Sequence, residues 1–272
     1  MTIIANHTHL MPNDAWMPGG VDLLLQHLDD NEIDRAVVFP PFAIQVDFSM
    51  RRANEWALNQ VRQHADRLLP AATIYPLAPD AVEMLRWLAD EGVRLVKIHP
   101  AIDRHDVADP AARPFYARAQ ELGMVLDYHT GAHGVRLSMT RPEKFDDIAW
   151  DFPGLKLVFE HLGGRAYFNE FLAILCNHRQ TGDQGAQRVF GGLTSVLSEE
   201  TNGLWHLGQE RIEEVVRCAG ADQLIFGLDF PYNSSKSIGA DIARIKSLRI
   251  AETDKTRILG GNLAQLLDLD AE

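Results

Sequence analysis

The sequence predicts a parallel α/β barrel of eight strands, the (β/α)8 or TIM-barrel class, and three observations carry that reading. Short apolar runs rich in β-branched residues recur eight times along the 272 residues. Amphipathic segments at helical spacing separate them, so the strands lie parallel and are joined by helical crossovers; eight is the number that closes into a barrel. Polar side chains gather where the runs end, the rim on which such barrels build their sites. An open doubly wound sheet is the alternative. No Gly-x-Gly-x-x-Gly follows a strand and no Walker-type loop occurs, which argues against its nucleotide-binding version. The length suits one domain over residues 1–272, with an extra helix at the C-terminal end.

In order, the predicted strands are Ile3 to His9, Arg35 to Phe39, Leu68 to Tyr75, Val93 to His99, Met124 to His129, Leu155 to His161, Arg188 to Val196 and Gln223 to Asp229. Prolines close several of them, at Pro40, Pro76 and Pro100. The seventh is the least regular, because Gly191-Gly192 interrupts it. Between them the 3.6-residue period predicts helices over Gly20 to Asp30, Met50 to Ala65, Asp80 to Asp90, Asp109 to Gly123, Pro142 to Asp151, Tyr167 to Arg179 and Gly208 to Ala219. Asp80 and the Asp109-Pro110 pair supply start signals, and Gly92 and Gly123 supply stops. A polar Gln/Gly-rich loop follows at Gln180 to Gln187. Two helical patterns, Ile238 to Leu248 and Thr253 to Leu269, finish the chain.

Composition sets outer bounds. Lys+Arg of 26 against Asp+Glu of 38 gives a net charge of −12, which argues against nucleic acid or an anionic membrane as partner. A small molecule is the expected partner; homo-oligomerisation is left open. Cys176 and Cys218 lie in helical stretches without a Cys-x-x-Cys partner and read as buried free thiols. With no signal-peptide pattern and no apolar run of about 18 residues, a cytoplasmic protein is expected.

The chemistry is concentrated at strand ends. His7 and His9 are separated by one residue, so in a strand both project from the same side and form half of a divalent-metal site. His99, His129 and His161 end the fourth, fifth and sixth strands, and Asp229 ends the eighth. One buried histidine is commonly a hydrogen-bonded core residue. Five of eleven, with a carboxylate on the same rim, are hard to explain by packing. The period of two also turns Lys97 and Asp127 inward beneath His99 and His129, where an ion pair is expected, since either charge alone would be costly. The alternative is that Lys97 joins the metal site as a modified bridging ligand.

The segments Asn6-His-Thr-His9, Val96-Lys-Ile-His-Pro100, Asp127-Tyr-His-Thr-Gly131, Phe159-Glu-His-Leu-Gly-Gly164, Ile225-Phe-Gly-Leu-Asp-Phe-Pro231 and Ile258-Leu-Gly-Gly-Asn-Leu-Ala264 together resemble the amidohydrolase superfamily, in particular its amidohydrolase-2 branch of hydrolases and decarboxylases. The resemblance implies one divalent metal ion, zinc first and manganese second, held by His7, His9, His129 and Asp229. It implies His161 as an acid/base beside the metal, with Asp229 also able to take a proton. Asn6 departs from the pattern, since the family more often has an acidic residue there. An amide can hydrogen-bond to the ligands' neighbours but adds no charge.

Hydrolysis of a small ester, lactone or amide carrying a carboxylate, through a metal-activated water, is the activity expected first. Arg165 is its candidate carboxylate anchor, because a guanidinium grips a carboxylate with two bonds. His99, Arg136 and Tyr232 are further candidates for substrate binding. Non-oxidative decarboxylation of a small aromatic acid is the rival; the absence of long insertions between strands and helices tilts the choice to hydrolysis. A non-catalytic metal-binding barrel is the third reading. It would show itself by a missing ligand, and every ligand position is filled.

Overall fold

β-branched and small residues form short strands here, and every strand lies parallel to its neighbours. The computed structural model of the protein describes residues 2–181, 188–198 and 203–269. Its strands are β1 (Ile4–His9), β2 (Arg35–Phe39), β3 (Leu68–Thr73), β4 (Leu95–Ile98), β5 (Val125–His129), β6 (Lys156–Glu160), β7 (Val189–Gly192), β8 (Leu224–Ile225) and β9 (Gly227–Phe230). They form one sheet in the order β8-β7-β6-β5-β4-β3-β2-β1-β9. The last two are halves of the eighth predicted strand, parted at Phe226. One half pairs with β7 and the other with β1, so the ring closes through this strand. The architecture is a TIM barrel.

Helices α1 (Val21–Asp30), α2 (Met50–Arg62), α3 (Ala81–Asp90), α5 (Arg113–Glu121), α6 (Pro142–Asp151), α7 (Gly164–Thr181) and α8 (Gln209–Cys218) fill the crossovers, and α4 (Pro100–Asp103) is a single turn after β4. Beyond the barrel strands lie α9 (Ser235–Ser247), α10 (Glu252–Thr256) and α11 (Asn262–Leu266). Most predicted boundaries fall within a few residues of these. The polar loop expected at 180–187 lies, from residue 182 on, outside the described residues. The final predicted helix is broken: a π-helical turn, Arg257–Gly261, separates α10 from α11. A Cβ at Gly260 would come within 2.8 Å of the Ile4 amide nitrogen and the Thr2 carbonyl, so the backbone of this turn lies directly against the start of β1. Cys218 is exposed rather than buried, and both cysteines are free thiols. No helix among the described residues is long and apolar enough to cross a membrane.

The two faces of each strand do different work. Leu126, Tyr128, Leu157 and Phe159 point outward and pack with helix residues such as Leu85, Phe115, Phe145 and Phe171. Burying each such side chain stabilises the fold by about 1.5–3 kcal/mol. Ile4, Val37, Leu69, Leu95, Val125, Val158, Phe190 and Ile225 point inward and fill the lower barrel, closed below by Leu263 and Leu266 of α11. Above that apolar layer the inward positions become polar: Asn6, Lys97, Asp127 and Glu160, all fully buried. The candidate site stands on this polar layer.

Candidate metal centre

The floor is a hydrogen-bonded set of charges. Lys97 Nζ donates to Asp127 Oδ1 at 2.7 Å, the interior ion pair the strand period predicts. Asn6 Nδ2 donates to Asp127 Oδ2 at 2.6 Å and to Glu160 Oε1 at 2.7 Å. The amide that replaces an acidic residue thus spans two carboxylates, a place where a third would repel both. Burial, then the neighbouring Asp127, push the Glu160 carboxyl well above the usual range. Glu160 also explains the glycine pair in β7: a Cβ at Gly192 would meet Glu160 Oε2 at 2.0 Å.

His7 reaches the site by a break in the strand. Ile4 and Asn6 already point inward, so strict alternation would send His7 out. Instead its φ is 63° and the pairing of β1 with β2 and β9 shifts register there. This bulge turns both His7 and His9 into the cavity, which simple alternation explained only in part. His161 (φ 66°), Ser195 (φ 60°) and Asp229 (φ 55°) are likewise left-handed. Non-glycine residues persist in that region only where surrounding structure over-determines them, and these four lie at or beside one site.

His7 Nε2 lies 3.4 Å from His9 Nε2 and 3.5 Å from Asp229 Oδ1. Two donors about 2.1 Å from one ion at the tetrahedral angle stand about 3.4 Å apart, so the set fits a divalent metal. Asp229 Oδ2 accepts from Ser195 Oγ at 2.9 Å, and Asn233 Nδ2 donates to Ser195 Oγ at 2.9 Å, which orients the carboxylate. Burial raises the Asp229 carboxyl to about 6, against the Ser195 bond and Lys97, which lower it. Burial, then Lys97, hold His9 down to about 3 and His7 well below its usual value, so both rings are neutral and can offer lone pairs. On the far side of His7, its Nδ1 faces Lys97 Nζ at 3.3 Å, Glu160 Oε1 at 3.5 Å and Asp127 Oδ1 at 3.8 Å.

The remaining histidines form the opposite wall. His99 and His129 stack with centroids 3.9 Å apart and planes 11° apart. Together with His133 they form a second cluster whose donor atoms lie within 4.8 Å of one another. His129, predicted with the His7 pair, therefore stands in the same cavity but groups with this wall. His161 is engaged at both ring nitrogens: Nδ1 meets the Thr194 carbonyl at 2.8 Å and Nε2 meets His129 Nδ1 at 3.1 Å. The cavity enclosed by these groups measures about 240 Å³, with Phe42, Gln45, Ile102, Trp205 and Tyr232 completing its wall. Gln45 Nε2 donates to the Tyr232 hydroxyl, which burial raises to about 12 and so keeps a phenol.

Of the substrate-binding candidates, His99 and Tyr232 line this cavity. Arg165 and Arg136 are exposed and are not among its lining residues. Both follow a strand end closely, but the turns after β5 and β6 carry their side chains outward. Sequence reasoning missed Glu160, His133, Trp205, Phe42 and Gln45. Glu160 was legible from the period of two, as the inward neighbour of Val158. The others sit on loops, where no period reveals direction.

A parallel barrel with imidazole and carboxylate donors converging at the C-terminal ends of its strands defines a metal-site enzyme architecture. The chain belongs to the amidohydrolase family, whose model matches residues 4–269. Among solved structures it is similar to 5-carboxyvanillate decarboxylase LigW from Sphingomonas paucimobilis, with a TM-score of 0.72, 16% identity and 99% of each chain covered. It is also similar to a provisionally named 2-pyrone-4,6-dicarboxylic acid hydrolase from Pseudomonas putida, with a TM-score of 0.73, 17% identity, and 100% of this chain and 99% of that one covered. A third is a dihydroxybenzoic acid decarboxylase from Polaromonas sp. with bound manganese and the inhibitor 2-nitroresorcinol, with a TM-score of 0.68, 14% identity, and coverages of 100% and 98%. No curated protein matches the chain. Decarboxylases and a hydrolase both align over nearly their whole length, so the fold does not separate the two activities.

Proposed function

We propose that the chain is a metal-dependent hydrolase of small, uncharged esters, lactones or amides, with His7, His9 and Asp229 as the residues whose donors converge on the ion and His129, on the facing wall, as its fourth holder. The observation that carries the reading is Asp229, with one oxygen in the donor set and the other pinned by Ser195. A divalent ion in that set would polarise the substrate carbonyl and acidify water. Asp229, beside the place where a metal-activated water would stand, could take that water's proton and pass it to the leaving group. His99 accepts the Ile102 amide at Nδ1, so a neutral His99 carries its proton on Nε2 and can donate to a substrate oxygen. The Tyr232 phenol is a second donor. Phe42, Ile102 and Trp205 exclude water and suit a planar substrate. With both arginines outside the wall, the substrate's own carboxylate drops out of the reading.

One observation favours decarboxylation as a second reading. The wall is aromatic and imidazole, which suits stacking on the planar ring of an aromatic acid. Zinc and manganese both suit this donor set. The test is a screen of metal-loaded protein against neutral lactones, esters and amides beside hydroxylated benzoic acids, with His7→Ala as control. Hydrolysis lost in the control supports the proposal. Carbon dioxide release without hydrolysis overturns it in favour of the second reading.

A further inference from the structure

We infer that His161 is a positioning residue: held on the Thr194 carbonyl, it fixes the tautomer of His129 and so aims the His129 Nε2 lone pair into the cavity. The inference uses the metal reading above only to say what the lone pair is for. The Thr194 carbonyl can only accept, so the proton in the 2.8 Å bond belongs to His161 Nδ1. A neutral imidazole has one N–H, which leaves His161 Nε2 as an acceptor. The 3.1 Å bond to His129 must then be donated by His129 Nδ1. His129 Nε2 has no proton, and it is buried without a hydrogen-bond partner among the described residues. This assignment of protons holds at the mildly alkaline pH at which an imidazole of ordinary pKa, about 6.5, is uncharged.

The local backbone is built to hold this arrangement. His161, Leu162 and Gly163 are consecutive left-handed residues, with φ of 66°, 48° and 73°. The Thr130 hydroxyl pins the turn, donating to the Glu160 carbonyl at 2.5 Å and accepting from the Gly163 amide at 2.8 Å. Trp205 packs against both rings, with centroids 5.0 Å from His161 and 5.2 Å from His129. The stacked neighbour His99 has the opposite tautomer, because its Nδ1 accepts from the Ile102 amide. Two parallel rings thus present a lone pair and an N–H to one cavity. The two bonds of His161 thus define a positioning role that is distinct from proton transfer to a substrate.

The test separates holding from proton transfer. In metal-free, ¹⁵N-histidine-labelled protein, His129 should show a protonated Nδ1 and a bare Nε2. Loading His161→Gln with zinc, cobalt or manganese should give an affinity within about threefold of the parent, since its amide can accept from His129 and donate to Thr194. His161→Phe, which can do neither, should lose about 10–100-fold, the usual effect of removing a hydrogen-bond partner of a metal ligand. Equal affinities for Gln and Phe, or His129 protonated at Nε2 in the parent, overturn the inference. If His161→Phe does not fold, the parent spectrum and the Gln affinity still decide. A parent that binds none of the three ions, yet shows the expected tautomers, refutes the metal reading and leaves the positioning role standing.

Discussion

Lys97→Met is the most revealing perturbation of the fold beneath the site. Lys97 and Asp127 are both fully buried, 2.7 Å apart, and Asn6 ties Asp127 to Glu160. Methionine fills similar volume but leaves Asp127 without its cation. Removing one partner of a buried pair costs about 3–5 kcal/mol, because the other charge stays buried and uncompensated. For a chain of this size about 1 kcal/mol moves the melting temperature by roughly 2–4 °C, so a drop of roughly 6–20 °C is expected. Lys97→Met combined with Asp127→Asn removes both charges and should melt above the single variant. Differential scanning calorimetry of metal-free protein, with urea unfolding as a second probe, reads both. A single variant melting within about 2 °C of the parent, below the smallest shift this reasoning allows, would refute it. So would a double variant no more stable than the single.

Three further outcomes follow from the same geometry. Asp229→Asn keeps an oxygen in the donor set but cannot take a proton, so metal-loaded protein should lose about two to four orders of magnitude in kcat on whatever substrate the screen finds, and bind the ion more weakly. Gly192→Ala places a Cβ 2.0 Å from Glu160 Oε2 and should cost about 1–3 kcal/mol in urea unfolding, whereas an unchanged midpoint would mean that Glu160 can move away freely. The metal-free protein should also weaken as pH falls below about 6.5: unfolded imidazoles take up protons there while His9 and His161 stay neutral to about 3, so the unfolded state binds more protons. Asp229, raised to about 6, Asp103, raised to about 7, and Glu160, also raised by burial, oppose this, but His7, His99, His105 and His129 are lowered by burial too, and a urea midpoint that does not fall from pH 7 to pH 5 would contradict the balance.

The barrel was legible because inward and outward positions alternate with period two and the crossovers with period 3.6. The rim was legible because His99, His129, His161 and Asp229 each stand where an apolar run stops. The same period exposed the Lys97–Asp127 pair. It failed at His7, where a left-handed residue resets the register; Glu160 lay within its reach, as the inward neighbour of Val158, but reads like any charged residue at a strand end until that direction is counted. Arg165 and Arg136 do not line the cavity, because proximity in sequence to a strand end says nothing about which way a turn carries a side chain. His133, Trp205 and Gln45 come from loops, whose path depends on contacts across the barrel mouth. Whether a histidine donates, accepts or ligates is set by its partners, such as the Thr194 carbonyl on His161, and these become visible only once the chain is folded.

Elemental analysis of the purified protein beside His9→Ala tests the central claim most directly. His9 Nε2 stands 3.4 Å from His7 Nε2, and removing it deletes one of the converging donors without disturbing the buried charges below. About one zinc or manganese ion per chain in the parent, and a large loss in the variant, is the result expected of such a site. Equal metal content in the two proteins would contradict it.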